Sequence, residues 1–232
     1  MTTSVADNQV FTRLPAEIAA AIAAVGEEVF LPAGAVLHSN VGVPVGSVYF
    51  PHSGVISVCS NFATGAQVEV ASIGREGAFG LFSLLGVPLH SMIAEVTIET
   101  RATTAPRADV RRLYGASAAF RSVVLDYLAQ LFNDVVQSVG CYRFHTHDQW
   151  VARWLLTTAD RTGTDTFAVT HDLIARRLGS QRHAVSRTLA ILREANAIDY
   201  DRGRLSILNR LRLQSASCGC YSQVAPEVEH GT

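Results

Sequence analysis

The stretch THDLIARRLGSQRHAVSRTLAIL, residues 170–192, constrains the fold more than any other part of this chain. Gly179 divides it into two short amphipathic halves, at a point where a positive φ or a close approach of two helices suits only glycine. Thr170 can cap the first half, its hydroxyl accepting from an orphan backbone N–H. Ile174 and Leu178 share one face of that half, with small Ala175 beside them. In the second half Val185, Thr188, Leu189 and Leu192 fall within one arc at about 100° per residue, and Arg182, His183, Ser186 and Arg187 within the opposite arc. One arc is built to pack. The other offers two guanidinium forks, an imidazole and a hydroxyl. The pattern predicts a helix-turn-helix, whose second helix enters the major groove of DNA. A plain helical hairpin with a solvated basic face would share it.

Charge is distributed in the same sense. The net charge is −1, yet residues 150–212 hold 11 arginines against 6 acids, while residues 1–149 hold 8 against 12. Basic charge is confined to one segment, as expected where only part of a chain meets a polyanion. Solvated arginine faces alone would give the same count. Arginine suits base reading because its planar fork can donate to O6 and N7 of guanine together. Arg182, His183, Ser186 and Arg187 are therefore the candidate base readers. Thr170, Arg176, Arg177 and Gln181, with Arg202 and Arg204 of the following hairpin AIDYDRGRLSIL, are placed for phosphates. Such contacts supply affinity and register but little sequence information.

Upstream the patterning changes. Within residues 27–106, EEVFL, AVLHS, SVYF, VISVCSNF, QVEVASI and MIAEVTIET alternate or run apolar, with glycines at 34, 42, 46, 54, 65 and 74 between them. Many short strands at this spacing predict a sandwich, jelly roll or barrel. A short Ala-rich helix from Pro15 to Val25 precedes them. From about Ser117 to Gly140 no breaker occurs, and Val124, Leu128, Leu131 and Val135 step by 4, 3 and 4, the spacing of a coiled-coil seam. That line is expected to meet a second copy of the chain. A neighbouring line, Leu125, Phe132 and Val139, is expected to pack on the β domain. Burial of the whole helix within one chain is the other reading. A further helix near His147–Ala159 carries Trp150, Val151, Trp154 and Leu155 on one face. The predicted α+β organisation is an N-terminal jelly roll over 1–114, a long dimerisation helix and hinge over 115–146, a winged helix-turn-helix over 147–213, and a loose polar tail over 214–232.

Composition excludes other classes. With 48% hydrophobic and 17% charged residues the chain reads as a soluble globular protein. Its apolar runs fall far short of the roughly 20 residues a membrane span needs. The opening MTTSVADNQVFTRL has neither a basic n-region nor an apolar h-region, so a cytoplasmic location is expected. Cys59, Cys141, Cys218 and Cys220 are too scattered for a disulfide framework or paired C-x-x-C zinc ligands, so no metal is expected. Cys218-Gly219-Cys220 reads as part of the tail, a redox or metal clip being the other reading. No Ser-His-Asp, P-loop or nucleotide-fold signature appears. The pair His145-Thr146-His147 has the H-x-H form of a cupin-type metal enzyme, but it lies outside the β segment, where it is expected to cap or link helices. No enzyme is expected.

With these parts in place, the chain resembles the Crp/Fnr family of bacterial transcription regulators from about Glu27 to Leu208. The resemblance rests on PAGAVLHSNVGVPVGSVYFPHSGVISVCS and SIGREGAFG in the sensor, and on THDLIARRLGSQRHAVSRTLAIL followed by AIDYDRGRL in the reading domain. It implies a cyclic-nucleotide-binding-like jelly roll, a long dimer helix and a winged helix-turn-helix. It also implies a homodimer on a pseudo-palindromic site in double-stranded DNA, with RNA polymerase as partner if the protein activates. Arg182, Ser186 and Arg187 match the family's base-reading positions. His183 stands where the best-known members have glutamate, so their operator is not implied for this chain. Thr188 replaces an aliphatic residue at an inward position that its methyl group fits.

Members that bind cyclic nucleotides carry Phe-Gly-Glu and, after a loop, Arg-Ser-Ala. Here Phe79-Gly80-Leu81 and His90-Ser91-Met92 stand at those places, and both charges are missing. A buried cyclic phosphate without its arginine would be badly compensated, which argues against cyclic AMP. Phe79, Gly80, Leu81, His90 and Ser91 remain the effector-pocket candidates. No cysteine precedes Cys59, unlike the iron–sulfur members. Haem through His38, His52 or His90, an unidentified small molecule, and no effector at all stay open.

Overall fold

Among the described residues, alternating apolar and polar residues fold into seven antiparallel strands: β1 Glu27–Leu31, β2 Val36–His38, β3 Ser47–Pro51, β4 Val55–Asn61, β5 Gln67–Ile73, β6 Met92–Ile98 and β7 Thr100–Pro106. They form two sheets, ordered β1-β7-β3 and β2-β6-β4-β5. The computed structural model describes residues 7–39, 43, 45–62, 66–86 and 92–224. These fall into two compact units, Met1–Asn133 and Asp134–Thr232. At the turn between β3 and β4 only glycine fits: Gly54 has a φ of +74°, and an added Cβ would lie 2.1 Å from the Glu99 carbonyl oxygen. Strand β7, TRATTAP, lacks a strong apolar alternation, yet it is the middle strand of its sheet with Thr100, Ala102, Thr103 and Ala105 buried.

Helices cover the sheets. Helix α1 is Gln9–Thr12, α2 Ala16–Val25, α3 Arg107–Ala116 and α4 Ala118–Phe144, with a 3-10 turn at Leu81–Leu85. The first unit's core joins Val48, Phe50, Ile56, Ile73 and Ala94 to Ile18 and Ile22 of α2, Val110 of α3, and Phe120, Val124, Leu128 and Leu131 of α4. The two apolar lines of α4 are thus exchanged relative to the sequence expectation. Val124, Leu128 and Leu131 lie in the chain's own core, and Val135, expected on the same seam, is half-buried. Leu125, Phe132, Val136 and Val139 are exposed, as is Phe144 at the end of the helix. Burying each core member is worth about 1.5–3 kcal/mol, so that line is fixed within one chain. Polar groups are also buried here: the Ser57 hydroxyl donates to the Glu69 carboxylate and meets the Thr97 hydroxyl, joining β4, β5 and β6.

The second unit continues with α5 His147–Thr162, β8 Thr166–Ala168, α6 His171–Arg177, α7 Arg182–Glu194, β9 Ile198–Asp201, β10 Arg204–Ile207, α8 Arg210–Ala216 and α9 Tyr221–Val224. Its strands form one sheet, ordered β8-β10-β9. Thr146 and Gln149 make a capping box that starts α5, so the residue between the two histidines is a helix cap. Val151, Leu155, Leu156, Ile174, Val185, Leu189, Ile198 and Leu205 are fully or almost fully buried. Residues 214–224 are not a loose tail. Leu213, Cys218 and Tyr221 are buried, and the Tyr221 hydroxyl donates to Asp160 at 2.7 Å, beside Arg210, which bonds Asp160 at 2.7 Å and Asp165 at 2.8 Å. Among the described residues, no helix is long and apolar enough to cross a membrane.

Candidate nucleic-acid interface

Helix α6 starts on Thr170, whose Oγ1 accepts from the Leu173 N–H at 3.1 Å. It ends in a Schellman motif: Gly179 takes a φ of +59°, and the Ser180 N–H reaches back to the Ala175 carbonyl at 2.9 Å. Helix α7 ends in the same way, with Asn196 at a φ of 51° and the Ala197 N–H on the Leu192 carbonyl at 3.0 Å. Both helices are therefore stopped by backbone geometry. On α7, Val185, Thr188, Leu189 and Leu192 are buried, while Arg182, His183 and Arg187 are exposed, with Gln181 exposed at its N-cap. The helix carries its charge on one face because only the other face packs.

Two histidines hold α7 by its hydroxyls. His171 Nδ1 lies 2.8 Å from Ser186 Oγ, and its ring lies tilted against Tyr200 with centroids 4.5 Å apart. His147 Nδ1 lies 3.2 Å from Thr188 Oγ1, and the same hydroxyl donates to Asp148. The Nε2 atoms of both rings are buried without a hydrogen-bond partner. A buried lone pair is more tolerable than an orphan N–H, so each Nδ1 carries the proton and donates to its hydroxyl. Ser186 can then donate outward. Burial depresses both histidines below the usual imidazole range. Arg182 adds to this at His171 while Asp172 opposes it; at His147, Asp148 opposes and Arg187 adds.

Thr188 is buried at the inward position, as expected, and is held there by its hydroxyl as well. Arg177 is a correction. Its side chain is 0% exposed, so it cannot reach a phosphate. Arg176, Arg202 and Arg204 are exposed, as is Thr170, whose hydroxyl serves the cap. Arg202 sits at the tip of the β9–β10 hairpin in the left-handed region, with a φ of 47°, ahead of Gly203 at 78°. Arg182 Nε is 3.4 Å from Asp172, an exposed pair. Sequence reasoning missed His171 and Tyr200 as supports, and it noticed His147 only as half of an H-x-H pair. That pair does not converge: His147 turns to Thr188, and His145 Nε2 lies 3.3 Å from Cys220 Sγ.

In the β unit, Phe79 and Leu81 are core side chains, 3% and 1% exposed. Phe79 pairs its backbone with Tyr49, at 2.8 and 2.9 Å. His90 and Ser91 lie outside the described residues. His52 is buried with its Nε2 bonded to Thr103 Oγ1 at 2.9 Å, and burial lowers its pKa against the pull of Glu28 and Asp7.

Comparison with known families matches residues 149–216 to the Crp-like helix-turn-helix domain. No curated protein sequence matches the chain. Among solved structures, FixK2 from Bradyrhizobium japonicum superposes with a TM-score of 0.71 at 20% identity, over 84% of this chain and 98% of that one. A putative transcriptional regulator of the Crp/Fnr family from Eubacterium rectale gives 0.69 at 19% identity, over 91% and 98%. The c-di-GMP responsive global regulator CLP from Xanthomonas campestris gives 0.65 at 14% identity, over 83% and 99%. At these identities the structural likeness speaks for the fold, and the matched domain speaks for what α6 and α7 do. Residues 149–216 are a Crp-like helix-turn-helix domain, and the chain has the fold of the solved regulators it superposes on.

Proposed function

We propose that this protein is a DNA-binding transcription regulator of Crp/Fnr type that works in the cytoplasm as a homodimer on a pseudo-palindromic operator, by binding and not by catalysis. Arg182, His183, Ser186 and Arg187 read base edges. Thr170, Arg176, Gln181, Arg202 and Arg204 lie against phosphates, and Arg177 has no part in contact. The observation that carries this reading is the division of α7 into a packed face and an exposed face holding Arg182, His183 and Arg187. Dimerisation is assigned to the α4 face bearing Leu125, Phe132, Val136 and Val139, four exposed apolar residues on one side of a helix. An effector other than cyclic AMP, held by the β unit, sets DNA affinity; RNA polymerase is the partner where the bound protein activates.

Site selection from random duplex DNA by the purified protein tests the reading. The expected winner is a palindrome with half-sites about one helical turn, roughly 10 bp, apart. Only unselective, salt-sensitive binding, in the presence and absence of cell-extract metabolites, would sink it.

A further inference from the structure

The end of α4 and the segment between α8 and α9 bring together Cys141, His145, Cys218 and Cys220. Cys141 and His145 are four residues apart where the helix closes, the His145 N–H bonding the Cys141 carbonyl at 3.1 Å, so their side chains share a face. Cys218-Gly219-Cys220 presents two thiols from the other side. The Sγ atoms of Cys141 and Cys218 are 3.9 Å apart, Cys220 Sγ is 3.3 Å from His145 Nε2, and all four ligand atoms lie within 4.8 Å of one another. Cys141 and Cys218 are buried; His145 and Cys220 are half-buried.

We propose that these four residues form a tetrahedral Cys3His site for a single zinc-class cation. With metal–sulfur bonds of about 2.3 Å and a metal–nitrogen bond of about 2.0–2.1 Å, tetrahedral ligands stand roughly 3.5–3.8 Å apart, close to the spacings found. Three thiolates and an imidazole are a soft set that suits zinc and not magnesium or calcium. Four protein ligands close the coordination sphere, which is the structural and not the catalytic form. A cluster of several irons would place its ligands on different metal atoms and spread them wider. On binding, each thiol gives its proton to solvent and the cation takes the charge. The site staples the C-terminal segment to the last turn of α4, immediately before the Thr146 cap of α5.

The test uses the full chain, purified anaerobically with reductant. Metal content is measured by mass spectrometry, and cobalt(II) is added to the metal-stripped protein. About one equivalent of zinc per chain is expected, with tetrahedral cobalt–thiolate absorption on substitution. Cys220→Ser and His145→Ala should each weaken cobalt binding at least tenfold. Cys59→Ser, a buried thiol of the β unit, should leave it unchanged, and circular dichroism confirms that each variant is folded. Less than a tenth of an equivalent of metal with no cobalt–thiolate band would overturn the site. So would a disulfide between two of these cysteines in the reduced preparation, or equal cobalt binding by all variants.

Discussion

Helices α6 and α7 are built from similar residues and stopped by the same motif, yet they spend their arginines oppositely. Helix α6 has 7 residues, and Ile174, Ala175 and Arg177 are buried within it. Helix α7 has 13, with one face buried and Arg182 and Arg187 exposed on the other. A short helix closed in by its neighbours acts as a platform, and even its Arg177 is buried. A longer helix lying across that platform keeps a face for a partner. Whether an arginine serves fold or function is therefore set by the number of elements around it.

The largest expected effect follows from that contrast. Arg177→Ala removes one of the largest fully buried side chains and should cost about 2–5 kcal/mol of unfolding free energy. Arg176→Ala should leave stability near the parent's and weaken binding to all DNA alike. Urea denaturation of both variants checks this. Equal stability of Arg177→Ala and parent would mean that the α6 platform is wrongly assigned. Next comes Arg187→Ala, expected to lose about 1–3 kcal/mol per half-site if its fork reads a base. Titration against the selected operator and a scrambled duplex measures it, and an equal loss on both would move Arg187 to the phosphates.

The same contrast shows what could be read without coordinates. The packed face of α7, the Thr170 cap and the Gly179 stop follow from spacing and local backbone chemistry, and each stands where the sequence places it. Strands β9 and β10 follow from short alternation around Arg202-Gly203. What could not be read depends on contacts distant in sequence. Both apolar lines of α4 are helical in period, and only the β unit decides that Val124, Leu128 and Leu131 face inward. Arg177 looks like Arg176 until its surroundings are known. Tyr221 finds Asp160, 61 residues earlier, and Cys218 finds Cys141, 77 residues earlier, so a segment without periodicity is nonetheless packed. Strand β7 is centred by its neighbours and not by its own alternation.

A smaller effect is expected at the hairpin tip, which stands apart from both helices. Arg202 holds a left-handed φ that costs a non-glycine residue roughly 1–2 kcal/mol, and asparagine adopts it more readily. Arg202→Asn should raise thermal stability slightly while reducing the salt slope of DNA binding by about 1 per subunit. Sequence preference should not change. A shifted preference in a repeated site selection would place Arg202 at a base edge.

The subtlest expectation concerns the link between the two helices. His171 begins α6 and holds Ser186 of α7, while His147 holds Thr188; burial lowers both below the ordinary 6.5. An unfolded chain takes up these protons as pH falls through 6.5, and the folded chain resists until lower pH. The unfolded state therefore binds more protons in that window, and stability rises with pH across it. Between about pH 7.5 and pH 5 the reading unit should lose stability, because a protonated ring would bury an Nε2–H with no acceptor. Trp150 and Trp154 are the only tryptophans, both on α5, so their fluorescence reports this unit and not His52 in the other. His171→Phe keeps the ring against Tyr200 and removes the titration, so its unfolding midpoint should depend less on pH than the parent's. An unchanged pH dependence in that variant would assign the loss to His147 alone and leave the α6–α7 link outside it.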